Sequence, residues 1–265
     1  PVLKKAGVVD AGGKGFLIIL QGMLDQLQGK SMPELSEEEP EEEKADFGKL
    51  KLDECFLDIG AGDEAAAKQL VQVGDSAVYD TPAFRTGDLV VSPYLDDRIS
   101  CAVLLSALER IGECPNDLYL VFTAQEEVGL RGARTAAWSI APDYAVAVDV
   151  TDVDDTPGSE RAGTARLGRG AAVKVMDSSV ICHPAMVALL EDTAREGDIP
   201  VQRDIMRAGG TDAGAIHLTR TGVITGGISV PCRYIHTPAE TASLSDADAC
   251  VRLAAALAQR PLEQP

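Results

Sequence analysis

Residues 98–150 read RISCAVLLSALERIGECPNDLYLVFTAQEEVGLRGARTAAWSIAPDYAVAVDV, and the fold is decided by this stretch. Apolar spacing predicts a helix over 98–111, a strand over 118–123 (LYLVFT), a second helix over 129–138 and a second strand over 144–150 (YAVAVDV). Downstream the alternation continues. An extended stretch over 171–176 is followed by a helix over 184–197, a strand over 201–205, a helix over 211–220, a strand over 223–230 and a closing helix over 245–259. Upstream, residues 55–59, 77–80 and 88–91 read as short strands and 63–71 as a helix. Nearly continuous apolar strands alternating with helices predict an α/β fold, a three-layer and largely parallel sheet covered by helices.

The 265 residues carry 42 acids and 24 bases, so the formal charge is 24 − 42 = −18. Nucleic acid and anionic membrane surfaces both require clustered Lys and Arg, and this balance argues against either as partner. No apolar run approaches the roughly 18–20 residues of a membrane span, and a cytoplasmic enzyme is expected. Six cysteines lie scattered without a CxxC pair, which argues against a zinc ribbon or a redox pair. Residues 34–46 (ELSEEEPEEEKAD) repel one another and predict a disordered acidic linker over 31–48. Before it, residues 16–27 place apolar side chains at helical spacing, which predicts one amphipathic helix behind a glycine turn.

In a parallel sheet, ligands collect beyond the carboxyl ends of strands. Reading off those ends gives Asp96 and Asp97, then Glu126 and Glu127, then Asp149 and Asp152, then His236. Helix capping accounts for one of Asp96 and Asp97. It does not account for adjacent Glu126 and Glu127, whose like charges raise each other's cost unless a cation sits between them. Carboxylates with an imidazole suit zinc, cobalt or manganese better than calcium. Two adjacent acids in an extended segment point opposite ways, so one can bind metal while the other faces a water and receives its proton. Metal-assisted hydrolysis is the resulting expectation. His183, before Pro184, reads as a helix cap, and His217 as a core residue.

The stretches SPYLDDRISCAVLL, VFTAQEEVGLRGA, AVAVDVTDVDDTPG and GGTDAGAIHLTRTGVITGGISVPCRYIHTPAE resemble, in order, the metal-site motifs of the TET-type aminopeptidases, the glutamyl-aminopeptidase group also labelled endoglucanase-like. The similarity runs from about Leu50 to Leu257. It implies a zinc-aminopeptidase-like catalytic domain over 93–265 and, over 49–92, the end of a β-barrel dimerisation domain. It implies two divalent metals, zinc or cobalt, with Asp96 bridging them, Glu127 and His236 on one and Asp149 on the other. It implies Glu126 as general base, a cis bond from Asp96 to Asp97, and Gly210, Thr211 and Asp212 near the substrate. The substrates implied are peptides with a free amino terminus, and the assembly a dimer-based homo-oligomeric shell where the dimerisation domain is complete. Residues 1–30 resemble the end of the kinase domain of fatty-acid and dihydroxyacetone kinases, without that family's nucleotide-binding acids.

The family pattern begins with an upstream His-x-Asp pair, whereas the first histidine here is His183. One metal therefore keeps Asp96 and Asp149, and the other keeps Asp96, Glu127 and His236. The N-terminal part of the catalytic domain is expected to be missing, with an exposed sheet edge, uncovered apolar surface and impaired activity as consequences. Two function classes stay open: a metalloaminopeptidase, and a catalytically inactive binding or assembly module derived from one.

Overall fold

The computed structural model describes residues 55–153, 155–156 and 163–263. The expected kinase-like helix and acidic linker lie outside the described residues. The chain divides into two units, Pro1–Asp75 and Ser76–Pro265.

In the first unit the described residues form one helix, α1 (Glu64–Leu70). Asp63 caps it, its carboxylate accepting the Ala66 N–H at 2.8 Å, and Glu64 in the first turn suits the helix dipole. The strand expected over 55–59 does not form, and Phe56 and Leu57 are exposed.

The second unit runs β1 (Phe84–Thr86), β2 (Leu89–Ser92), α2 (Leu95–Arg110), α3 (Arg131–Ile140), β3 (Tyr144–Asp152), β4 (Ala171–Met176), α4 (Pro184–Glu196), β5 (Val201–Ile205), α5 (Ala213–Ile216), β6 (Ile224–Arg233), β7 (Glu240–Ser243) and α6 (Leu244–Ala258). These strands form one open sheet in the order β1-β2-β7-β6-β4-β5, with β3 paired to β6. β3 lies parallel to β6 and β4 parallel to β5, whereas β1–β2, β2–β7, β7–β6 and β6–β4 are antiparallel. The sheet is therefore mixed rather than largely parallel. The physical reason is connection length. The loops from β1 to β2 and from β6 to β7 are too short for a crossover and return the chain antiparallel.

Three further expectations are corrected. Residues 118–123 join no described strand, so Leu118, Tyr119, Val121 and Phe122 stay exposed. A run with strand composition becomes a strand only where a neighbour offers a hydrogen-bonding edge. Residues 77–80 likewise form no strand, and the helix expected over 211–220 shortens to α5 before turning. β1 and β7, both short, carry no apolar run and were not anticipated.

The larger of two core clusters among the described residues joins α2, α4 and α6 to the sheet through Val103, Leu190, Ile228, Val230 and Leu253. Ser243 caps α6 by accepting the Asp246 N–H at 3.2 Å, and the apolar face of α6 then buries Cys250, Leu253 and Ala255. Gly226 lets α4 approach β6, since a Cβ there would lie 2.4 Å from Met186 Cγ. Within the sheet Lys174 is fully buried and ion-paired with Asp204, its in-register neighbour on β5. Its Nζ also donates to Thr151 Oγ1 at 3.0 Å, and that hydroxyl donates to Asp204 Oδ2 at 2.8 Å. Removing one partner strands a buried charge. We expect Lys174→Met to cost about 3–5 kcal/mol in urea unfolding, and the double change with Asp204→Leu to recover most of it. Equal midpoints for wild type and Lys174→Met would contradict this.

Candidate metal centre

The end of β2 enters the centre through Tyr94, whose φ of 61° turns the chain. Asp96 and Asp97 follow with non-helical backbone angles and a cis peptide between them, before α2 becomes regular. Glu126 and Glu127 lie in a turn rather than in an extended segment. Gln125 takes a φ of 62°, and the amides of Gly129 and Leu130 donate to the Glu126 carbonyl at 3.0 and 2.9 Å. A Cβ on Gly132 would stand 2.5 Å from Ala124 N, so glycine is required for the start of α3 to lie on this turn. Asp149 sits within β3, opposite Ser229 of β6. His236 follows β6 with a φ of 64°.

These elements converge. His236 Nε2 lies 3.0 Å from Asp96 Oδ2 and 3.2 Å from Glu127 Oε2. Potential ligand atoms of Asp96, Glu127 and His236 all fall within 4.8 Å of one another, and so do those of Asp96, Asp97 and Asp149. Asp96 belongs to both groups. Asp97, read from sequence as supporting the site through its peptide bond, is itself a member of the second. Glu126 belongs to neither group, but it lies near enough to Asp212, Glu127 and Asp96 to feel their charges.

Burial and crowding raise Asp96, Asp97, Glu126 and Asp149. Burial, with Glu127 beside it, pushes Asp96 up to about 6. Burial, with Asp96 beside it, pushes Asp97 up to about 8. Glu126 rises to about 7 through burial and the Asp212 carboxylate, and Asp149 rises well above the usual range through burial and Asp97. A cation relieves each of these costs. The donor set fits a divalent transition metal: two carboxylates with an imidazole in one group, three carboxylates in the other. Asp97 Oδ1 fits as well, being buried without a hydrogen-bond partner among the described residues.

The residues read as substrate-side are placed as follows. Asp212 Oδ2 accepts the Thr123 hydroxyl at 2.6 Å, while its Oδ1 is buried without a hydrogen-bond partner among the described residues. Thr211 is buried and donates its hydroxyl to Asp177 Oδ2 at 3.1 Å. A Cβ on Gly210 would come 2.9 Å from the Ser179 side chain, so packing demands that glycine. His183 caps α4, its Nδ1 accepting the Ala185 N–H at 3.2 Å, and His217 Nδ1 lies 3.0 Å from the Ala213 carbonyl. Among the described residues neither histidine joins a metal-ligand group.

One residue escaped the sequence reading. Glu240, only 3% exposed, accepts the Asp96 N–H through Oε2 and the His236 N–H through Oε1, both at 2.9 Å. Its sequence signal is slight, an acid four residues after His236 in HTPAE.

Comparison with known proteins bears on this geometry. The family model for M42 glutamyl aminopeptidase matches residues 27–253. The chain is 48% identical over 213 residues to a protein of Acetivibrio thermocellus, covering 80% of this chain and 64% of that protein. Aminopeptidase APDkam598 from the archaeon Desulfurococcus kamchatkensis superposes with a TM-score of 0.76 at 41% identity, over 79% of this chain and 60% of that one. The Pyrococcus horikoshii TET1 peptidase, which can assemble into a tetrahedron or a large octahedral shell, superposes at 0.67 with 30% identity, over 86% of this chain and 66% of that one. The chain thus spans under two-thirds of the length of each of these three. With the match running through every element that supplies the metal centre, the chain belongs to the M42 glutamyl aminopeptidase family.

Proposed function

We propose that this protein is a metal-dependent aminopeptidase, removing residues one at a time from the free amino terminus of peptides, with Glu126 as general base. The observation that carries the reading is that two ligand groups share Asp96 while Glu126 stands beside them uncommitted. Asp96, Glu127 and His236 would hold one divalent ion, and Asp96, Asp97 and Asp149 the other, with zinc or cobalt as the ions best suited to these donors. Bound there, the ions supply Lewis acidity to the water nucleophile and the scissile carbonyl. Glu126 takes a proton from that water as its oxygen bonds to the carbonyl carbon, and returns it to the amine as the C–N bond breaks. Asp212, held by Thr123, offers its unpartnered oxygen to the substrate ammonium on the Glu126 side, and the loop through Gly210 and Thr211 shapes that wall. Assembly into a homo-oligomeric shell is part of the same proposal, by analogy with the TET1 peptidase. Sedimentation of the purified protein as a monomer alone would remove that part.

A second reading, an inactive binding or assembly module, draws on the all-carboxylate make-up of the Asp96–Asp97–Asp149 group, which offers a transition metal no nitrogen. Metal content separates the two. Close to two ions per chain supports the enzyme, and one or none supports the module or a single-ion site.

Glu126→Gln, assayed on amino-acid p-nitroanilides with added zinc or cobalt, is expected to lose about 100-fold or more of the rate while metal content stays unchanged. An unaltered rate would show that another group takes the proton. The raised carboxyls also fix a pH dependence for the metal-free protein. Asp96, Asp97 and Glu126 hold protons more tightly folded than unfolded, where carboxyls titrate near 4. Their contribution is therefore fully present below about pH 4 and is lost as pH rises through 6 to 8. The urea midpoint of chelator-treated protein should fall from pH 5 to pH 8, and zinc should raise it most at pH 8, where the ligands are ionised. A midpoint that is flat with pH and indifferent to zinc would contradict both.

A further inference from the structure

We propose that Glu240 is the positioning residue of the metal centre: one buried carboxylate holds the backbone amides of Asp96 and His236 together and so sets the separation of their side chains. This inference rests on the reading of these side chains as metal ligands.

Asp96 and His236 are 140 residues apart in sequence and belong to different loops, one leading from β2 and the other from β6. The two loops meet at Glu240. Its position comes from the sheet, because it opens β7 directly opposite Ser92 at the end of β2. A carboxylate is acceptor-only and has one oxygen for each amide, and both bonds measure 2.9 Å. Charge-assisted bonds of this kind are strong, and Glu240 is 3% exposed, so water does not compete for them. His236 needs such a hold, since a non-glycine residue at a φ of 64° persists only where its surroundings determine it. With both amides fixed, His236 Nε2 falls 3.0 Å from Asp96 Oδ2 and within reach of Glu127. Asp97 and Asp149 make no hydrogen bond to Glu240 among the described residues, so the second group is held by other means.

A mere increment of negative charge near the ions is the competing account, and two variants separate them. Glu240→Gln removes the charge and turns a donor toward one amide, whereas Glu240→Asp keeps the charge but is one methylene too short to reach both amides. Positioning predicts that both variants weaken cobalt(II) binding at the His236 group by about 10–100-fold and alter the visible absorption of the bound ion. Glu240→Asp that matches wild type in affinity and spectrum would overturn the proposal in favour of charge, and an unaltered Glu240→Gln would overturn both accounts. The wild-type cobalt titration tests the metal reading by itself. Should it bind no cobalt, or should the variants not fold, the amides of the metal-free wild type decide. By NMR the Asp96 and His236 amide protons are expected downfield and slow to exchange. Rapid exchange of either would overturn the clamp without reference to any metal.

Discussion

Mutual repulsion among carboxylates is the constraint around which this protein is organised. Asp96 lies within a few ångströms of Glu127 on one side and of Asp97 and Asp149 on the other, with Glu126 and Asp212 near enough to feel the same charge. Among the described residues, no Lys or Arg side chain forms an ion pair with any of the four. Burial makes the crowding worse, and Asp96, Asp97 and Asp149 answer by holding protons far above the ordinary range. The backbone forces this cluster together, and a divalent cation would relieve its cost. The proposed metal binding and the shape of the scaffold both answer to this one constraint.

The forcing is done at the main chain. Tyr94, Gln125 and His236 all take left-handed backbone angles next to the residues they deliver. Each such position costs on the order of 1–3 kcal/mol, which the surrounding sheet and helices must supply. Gly132 brings α3 onto the turn that carries Glu126 and Glu127, and Glu240 joins the two loops that carry Asp96 and His236. The buried Lys174–Asp204–Thr151 cluster ties β3 to β4 and β5, the same part of the sheet that presents Asp149.

Much of the fold was legible. Helices α2, α4 and α6 were readable because 3.6-residue periodicity is a local property. Strand direction was not, because a parallel and an antiparallel strand bury the same apolar residues, and the short connections that reverse the chain here carry no distinctive pattern. Residues 118–123 have strand composition and no strand, since pairing is a relation with another segment. β1 and β7 have pairing and no strand-like run, for the converse reason. In the centre, Asp96, Glu127, Asp149 and His236 could be picked out by type and by place relative to strands. Asp97 as a group member and Glu240 as a clamp could not. A carboxylate that accepts two backbone amides looks in sequence like any other acid.

The amino-acid sequence by itself determined which chemistry is available: the acids and the imidazole, their order, the alternation that gathers them toward one region, and a charge balance averse to nucleic acid. Tertiary structure alone decided which atoms share a ligand group, which acid stands apart from both, and which acid turns inward to hold the loops. Local pattern reports what a residue is and how its immediate neighbours lie. Distances between residues 140 positions apart depend on how the strands pair, and that is a property of the whole packed chain.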